Sequence, residues 1–109
     1  MFNVLARPTF TRTVKVSSPD GDGLREDSFV ATFVWVPSDE LQAFETDTTE
    51  GIKDLLRDVI VSAADLVGDN DERLEWSSDL LEGLLAWSNV RAALLLAYNS
   101  AWVEEKRGN

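Results

Sequence analysis

Apolar and polar positions alternate over two stretches near the start of the chain. Phe10, Val14 and Val16 share one parity, and Thr9, Thr11, Thr13 and Lys15 share the other. That pattern predicts a half-buried strand over Phe10–Val16. A second strand, Ser28–Val36, carries Phe29, Ala31, Phe33 and Trp35 on one face and Val30, Thr32, Val34 and Val36 on the other. The intervening Ser17–Gly23, SSPDGDG, reads as a polar loop, so the two runs are expected to pair as an antiparallel hairpin that Pro37 terminates.

Beyond Pro37 the period changes to that of helices. Ser38 followed by Asp39 and Glu40 marks a short helix to about Phe44, with acids at the positive end of its dipole. Asp47 and Glu50 resemble a capping box before an amphipathic run of Ile52, Leu55, Leu56, Val59, Ile60 and Ala63. The turn Gly68–Glu72 interrupts it, and its flanks, Ala64–Val67 and Arg73–Trp76, have the form of a second small hairpin. Ser77 or Ser78 would cap a brief helix holding Leu80, Leu81, Leu84 and Leu85. Ser88 or Asn89 would cap a last one with the stripe Val90, Ala93, Leu94, Ala97, Tyr98, Ala101 and Trp102. The expected fold is α+β: one domain over residues 1–109, with an N-terminal antiparallel hairpin (about 9–36) packed on three to four helices (about 38–104).

The last helix holds more apolar residues than one core-facing stripe needs, because Ala92, Leu95, Leu96 and Val103 lie off that stripe. Such a helix is either central in its domain or covers a partner as well. Leu95, Leu96, Tyr98 and Trp102 are the candidate partner-binding residues, for a client or for self-association. The chain also has four tryptophans, Trp35, Trp76, Trp87 and Trp102. They suit either the core or an interface anchor, and Trp102 is the expected exposed one.

Composition narrows the chemistry. There is no histidine and no cysteine, which removes the usual general base, the thiolate nucleophile and the common transition-metal ligands. No catalytic residue, cofactor or metal is expected, and the protein is expected not to be an enzyme. Asp20 and Asp22 give only a fragment of a calcium loop and read as a turn, while Asp54 and Asp58 read as a solvated helix face. A net charge of −10 disfavours nucleic-acid backbones and anionic lipid, and suits solubility and a basic protein partner. Met1–Phe10 lacks the form of a signal peptide, and the polar residues inside Gly83–Val103 argue against a membrane span, so cytoplasmic residence is expected.

The order of features in the second half carries a resemblance. An amphipathic helix leads to Val67-Gly68-Asp69-Asn70-Asp71; Trp76-Ser77 then opens a Leu-rich helix, and Asn89-Val90-Arg91-Ala92-Ala93-Leu94 runs on to Ala97-Tyr98. With the Phe-rich hairpin, this resembles the tail assembly chaperones of tailed bacteriophages over about residues 9–103. The resemblance implies a non-enzymatic protein of the host cytoplasm, absent from the mature virion. It would bind the tape measure protein, keep it soluble and help recruit tail tube subunits around it. It also implies that a longer frameshifted product can accompany the short one. The alternative from another class is an acidic DNA mimic that inhibits a host nucleic-acid enzyme. Small size and negative charge suit that reading, but it needs carboxylates arrayed on one face.

Overall fold

The computed structural model describes residues 1–107, and side chains as far as Ala101. Two long strands, β1 (Thr9–Asp20) and β2 (Gly23–Val34), pair antiparallel with Thr9 opposite Val34 and Asp20 opposite Gly23. The polar Ser17–Asp20 segment is therefore strand, and only Gly21 and Asp22 turn the chain. Gly21 has φ +65°, a conformation open to glycine without steric cost. Pro19 is tolerated because β1 is an edge strand and residue 19 turns its missing N–H away from β2.

Helix α1 (Ser38–Gln42) starts beyond Pro37, where sequence placed it. Helix α2 (Thr49–Val59) is capped one residue later than the Asp47–Glu50 pattern suggests. Thr48 is its N-cap, and the Thr48 hydroxyl accepts the Gly51 N–H at 3.0 Å. The larger correction lies at the other end. The helical spacing predicted for Ile60 and Ala63 fails: at Ile60 the backbone becomes extended (φ −85°, ψ 121°) and continues without a loop as β3 (Ile60–Ala64). β3 pairs antiparallel with β2, with a register shift at Thr32/Phe33, so the sheet has three strands in the order β1-β2-β3. The β-branched run Val59-Ile60-Val61 fits a pleated surface better than a helix interior, and pairing with β2 decides the matter.

The expected second hairpin exists in minimal form. Val67 and Arg73 bridge, Gly68 N–H donates to Glu72 O at 2.8 Å, and Leu74 N–H donates to Leu66 O at 2.9 Å, around a short 3-10 turn at Asp69–Asp71. Helix α3 (Ser78–Leu85) is capped by Ser77, whose hydroxyl accepts the Leu80 N–H. Helix α4 (Ser88–Arg107) begins right behind it. Neither Ser88 nor Asn89 lies outside the helix as a cap. The Trp87 carbonyl accepts the Arg91 N–H, while the Asn89 amide reaches across to Ser17 O and the Ser18 hydroxyl. Arg91, the one charged residue between Gly83 and Val103, donates to the Leu85 carbonyl at 2.8 Å and so closes the C-terminus of α3.

One face of the sheet faces solvent with Thr9, Thr11, Thr13 and Lys15. The other buries Val14, Val16, Phe29, Ala31 and Phe33 against Leu55, Leu56 and Val59 of α2 and Val90, Leu94, Ala97 and Tyr98 of α4. Tyr98 is the hub. Its ring stacks on Trp35 (centroids 5.1 Å apart), meets Phe33 edge-on (5.5 Å) and lies 5.7 Å from Phe10. Its hydroxyl accepts the buried Val36 N–H at 3.3 Å, and burial pushes that hydroxyl above its ordinary pKa. The parity change between Trp35 and Val36 follows: past the end of β2 it is Val36 that turns into the core, while Trp35 stays half-buried on the Tyr98 ring.

Candidate partner-binding surface

Along α4 the four predicted contact residues separate. Tyr98 is 1% exposed and belongs to the core, which corrects its assignment to a partner surface. At helical spacing Val90, Leu94, Ala97 and Tyr98 form the buried stripe, so a residue on that stripe is claimed by the sheet first. Leu95 is half-buried and packs on the edge of the core. Leu96 projects outward, 74% exposed. Trp102 lies outside the described residues. Among the described residues the conspicuously exposed tryptophan is Trp87, at 65%, in the turn between α3 and α4.

Leu95 and Leu96 face different hollows. Leu96 borders a groove of about 590 Å³ between α4 and the open edge of β1, lined also by Thr11, Thr13, Lys15, Ala93 and Ala97. Leu95 borders a second groove of about 490 Å³ with Leu41, Phe44, Leu55 and Tyr98. Sequence reasoning missed this second wall, because Leu41 and Phe44 sit on and just past a five-residue helix too short for a periodic signal. At the start of α4, Trp87 overlooks a wider depression formed with Ser18, Pro19 and Arg25. The segment before β1 adds Phe2, Val4 and Leu5, all solvent-exposed.

The charged groups form clips between elements. Arg7 grips Glu40 with both carboxylate oxygens engaged (2.7 and 3.1 Å). Arg57 does the same to Glu82 (2.7 and 2.8 Å) and also holds Asp54 at 2.7 Å, tying α2 to α3. Asp54 and Asp58 therefore do not act together, since Asp58 faces Glu40 instead. Hydrogen bonding to Arg7, then to Asp58, holds the Glu40 carboxyl below its usual range; hydrogen bonding to Glu40, with some desolvation, raises Asp58.

The two shifts have opposite linkage. Glu40 contributes stability above the ordinary carboxylate range that is lost on acidification. Asp58 carries a penalty at neutral pH that disappears once it is protonated. Asp58→Asn is thus expected to stabilise the protein slightly at neutral pH, by no more than about 0.5 kcal/mol as for other surface changes. The gain should vanish in acid below the carboxylate range. Urea denaturation at the two pH values checks this, and a gain that persists in acid would rule out charge repulsion as its cause.

No group of three or more acidic, His or Cys side chains able to hold a metal occurs among the described residues. Among them no single helix is long and apolar enough to cross a membrane; α3 and α4 together reach that composition only with a 105° bend between them. Comparison with protein-family models, with curated proteins and with solved structures gives no match.

Proposed function

We propose that the protein is a non-enzymatic holding protein of the tail assembly chaperone type. It binds the tape measure protein of a tailed phage through the exposed side of α4, keeps that client soluble and helps bring tail tube subunits to it. The observation that carries this reading is Leu96, a leucine left in water midway along the central helix. It borders one groove with Ala93 and Ala97, and its neighbour Leu95 borders a second with Leu41, Phe44 and Leu55. A client segment covering Leu96 and filling either groove would gain roughly 1.5–3 kcal/mol for each leucine-sized side chain removed from water. The family likeness in the second half of the sequence supplies the identity of the client. The acids favour this reading over a DNA mimic: Asp27, Asp54, Asp65 and Glu82 are each engaged by an arginine rather than displayed as one array.

The test is co-expression with a tape measure protein from the same genome. Leu96→Asp is expected to leave the thermal midpoint nearly unchanged, because the side chain is exposed, and to move most of the client from the soluble to the insoluble fraction. Leu95→Asp should do the same with a measurable loss of stability. A folded Leu96→Asp variant that keeps the client fully soluble would remove this surface from the reading.

A further inference from the structure

The backbone hydrogen-bond phase of β1 shows which of its groups point away from the sheet. Trp35 N–H donates to Pro8 O, so in the register of this pair the even-numbered residues of β1 bond to β2 and the odd-numbered ones point outward. Three independent contacts agree. The Thr11 and Thr32 hydroxyls meet at 3.1 Å, as side chains of a non-hydrogen-bonded pair do. Thr11 O accepts the Arg12 guanidinium, and Ser17 O accepts the Asn89 amide, so both of these odd-numbered carbonyls face outward. Between those two covered points lies an open stretch, Thr11–Lys15. There the N–H groups of Thr11, Thr13 and Lys15 and the carbonyls of Thr13 and Lys15 have no partner among the described residues. The groove bordered by Leu96, Ala93 and Ala97 runs along this same stretch.

From this juxtaposition we infer that the β1 edge is a strand-addition site. It takes an extended, acid-bearing segment of the client, whose backbone pairs with Thr11–Lys15 and whose alternate side chains rest on Leu96 and the alanines of α4. The inference rests on the holding role proposed above and names the form in which the client is gripped. An edge of unpaired donors and acceptors selects extended backbone, because only a strand meets them in step. The charge preference comes from position. All twenty acids of the chain lie at residue 20 or beyond, so the open stretch Thr11–Lys15 holds Lys15 and no acid. Lys15 makes no ion pair among the described residues. A second copy pairing through the same stretch would bring no carboxylate to Lys15, since Thr11–Lys15 contains no acid. A strand bearing a carboxylate opposite Lys15 supplies that charge pair.

The probes are two blocked synthetic peptides, Ac-TVEVTV-amide and Ac-TVKVTV-amide, added to the whole chain while amide hydrogen exchange is read residue by residue. With the glutamate peptide, the Thr11, Thr13 and Lys15 amides should gain protection, while those of Arg12 and Val14, already bonded to β2, stay as they are. The lysine peptide should bind several-fold more weakly, the reach of one cross-strand charge pair, and Lys15→Glu should reverse that order. Thr13→Pro removes an outward donor and should abolish the gain; protected Arg12 and Val14 amides would show that its β1–β2 ladder survives. Absence of protection with either peptide overturns the inference. So does protection that rises with protein concentration alone, which would assign the edge to a second copy. In the co-expression assay, client lost with Leu96→Asp but held by a folded Thr13→Pro variant would leave the holding role standing and remove strand addition.

Discussion

Tyr98→Ala is expected to destabilise the domain by about 3–5 kcal/mol, the range for removing a large aromatic from a packed core. The ring touches Phe10, Phe33 and Trp35, which come from both long strands and the segment after β2, so no single neighbour can move into the space. Against a total stability of about 5–15 kcal/mol for domains in general, that leaves a protein close to its unfolding threshold. Tyr98→Phe separates the two roles of the residue. It keeps the ring but strands the Val36 N–H, a loss of about 1 kcal/mol. Urea denaturation of both variants measures the difference. Equal losses from the two would mean that the aromatic cluster contributes little beyond its one hydrogen bond.

Gly51→Ala should show the opposite sign from the one helix propensity assigns. Alanine is favoured over glycine inside a helix by about 1 kcal/mol. Here, however, a Cβ would land on the backbone carbonyl of Glu45 and 2.9 Å from the Thr48 hydroxyl that caps the helix. Backbone cannot step aside as a flexible side chain does. The substitution must therefore push the 45–48 turn off the start of α2 or break the cap. A net loss of about 1–3 kcal/mol is expected, the usual toll of overpacking. Gly83→Ala is the matched control, since nothing lies within 4 Å of a Cβ there and it should stabilise α3. Thermal melts of the pair decide the point: a stabilised Gly51→Ala variant would mean that the turn and helix do not approach so closely.

Parts of this architecture were readable in the residues. The parity of Phe10, Val14 and Val16 against Phe29, Ala31 and Phe33 gave the hairpin and its buried face, because one-sided burial leaves a period of two. The Ser77-Ser78 pair gave the start of α3 to within one residue, and Ser77 is the cap. Three features were hidden for physical reasons. Strand continuation through Ser17–Asp20 depends on a partner strand, which overrides the turn preference of Ser, Pro and Asp. Ile60 and Ala63, three residues apart, fit a helical period and not a regular strand's period of two; only the register shift against β2, which sets them opposite Phe33 and Ala31, makes them strand residues. The fates of Leu95, Leu96 and Tyr98 differ because each step along α4 turns the side chain about 100°, and composition alone does not say where the sheet lies. The edge groove was beyond reach altogether, since it exists only once α4 is set beside β1.

The direct passage from Val59 to Ile60 gears the helical layer to the sheet. With both residues buried and no slack between them, the chain cannot change length at that joint. One inserted residue would invert which side of β3 faces inward while leaving α2 where it was. Descendants of this sequence are thus free to grow or shrink at Asp69–Asp71, where every residue faces water, but not at the hinge between the layers.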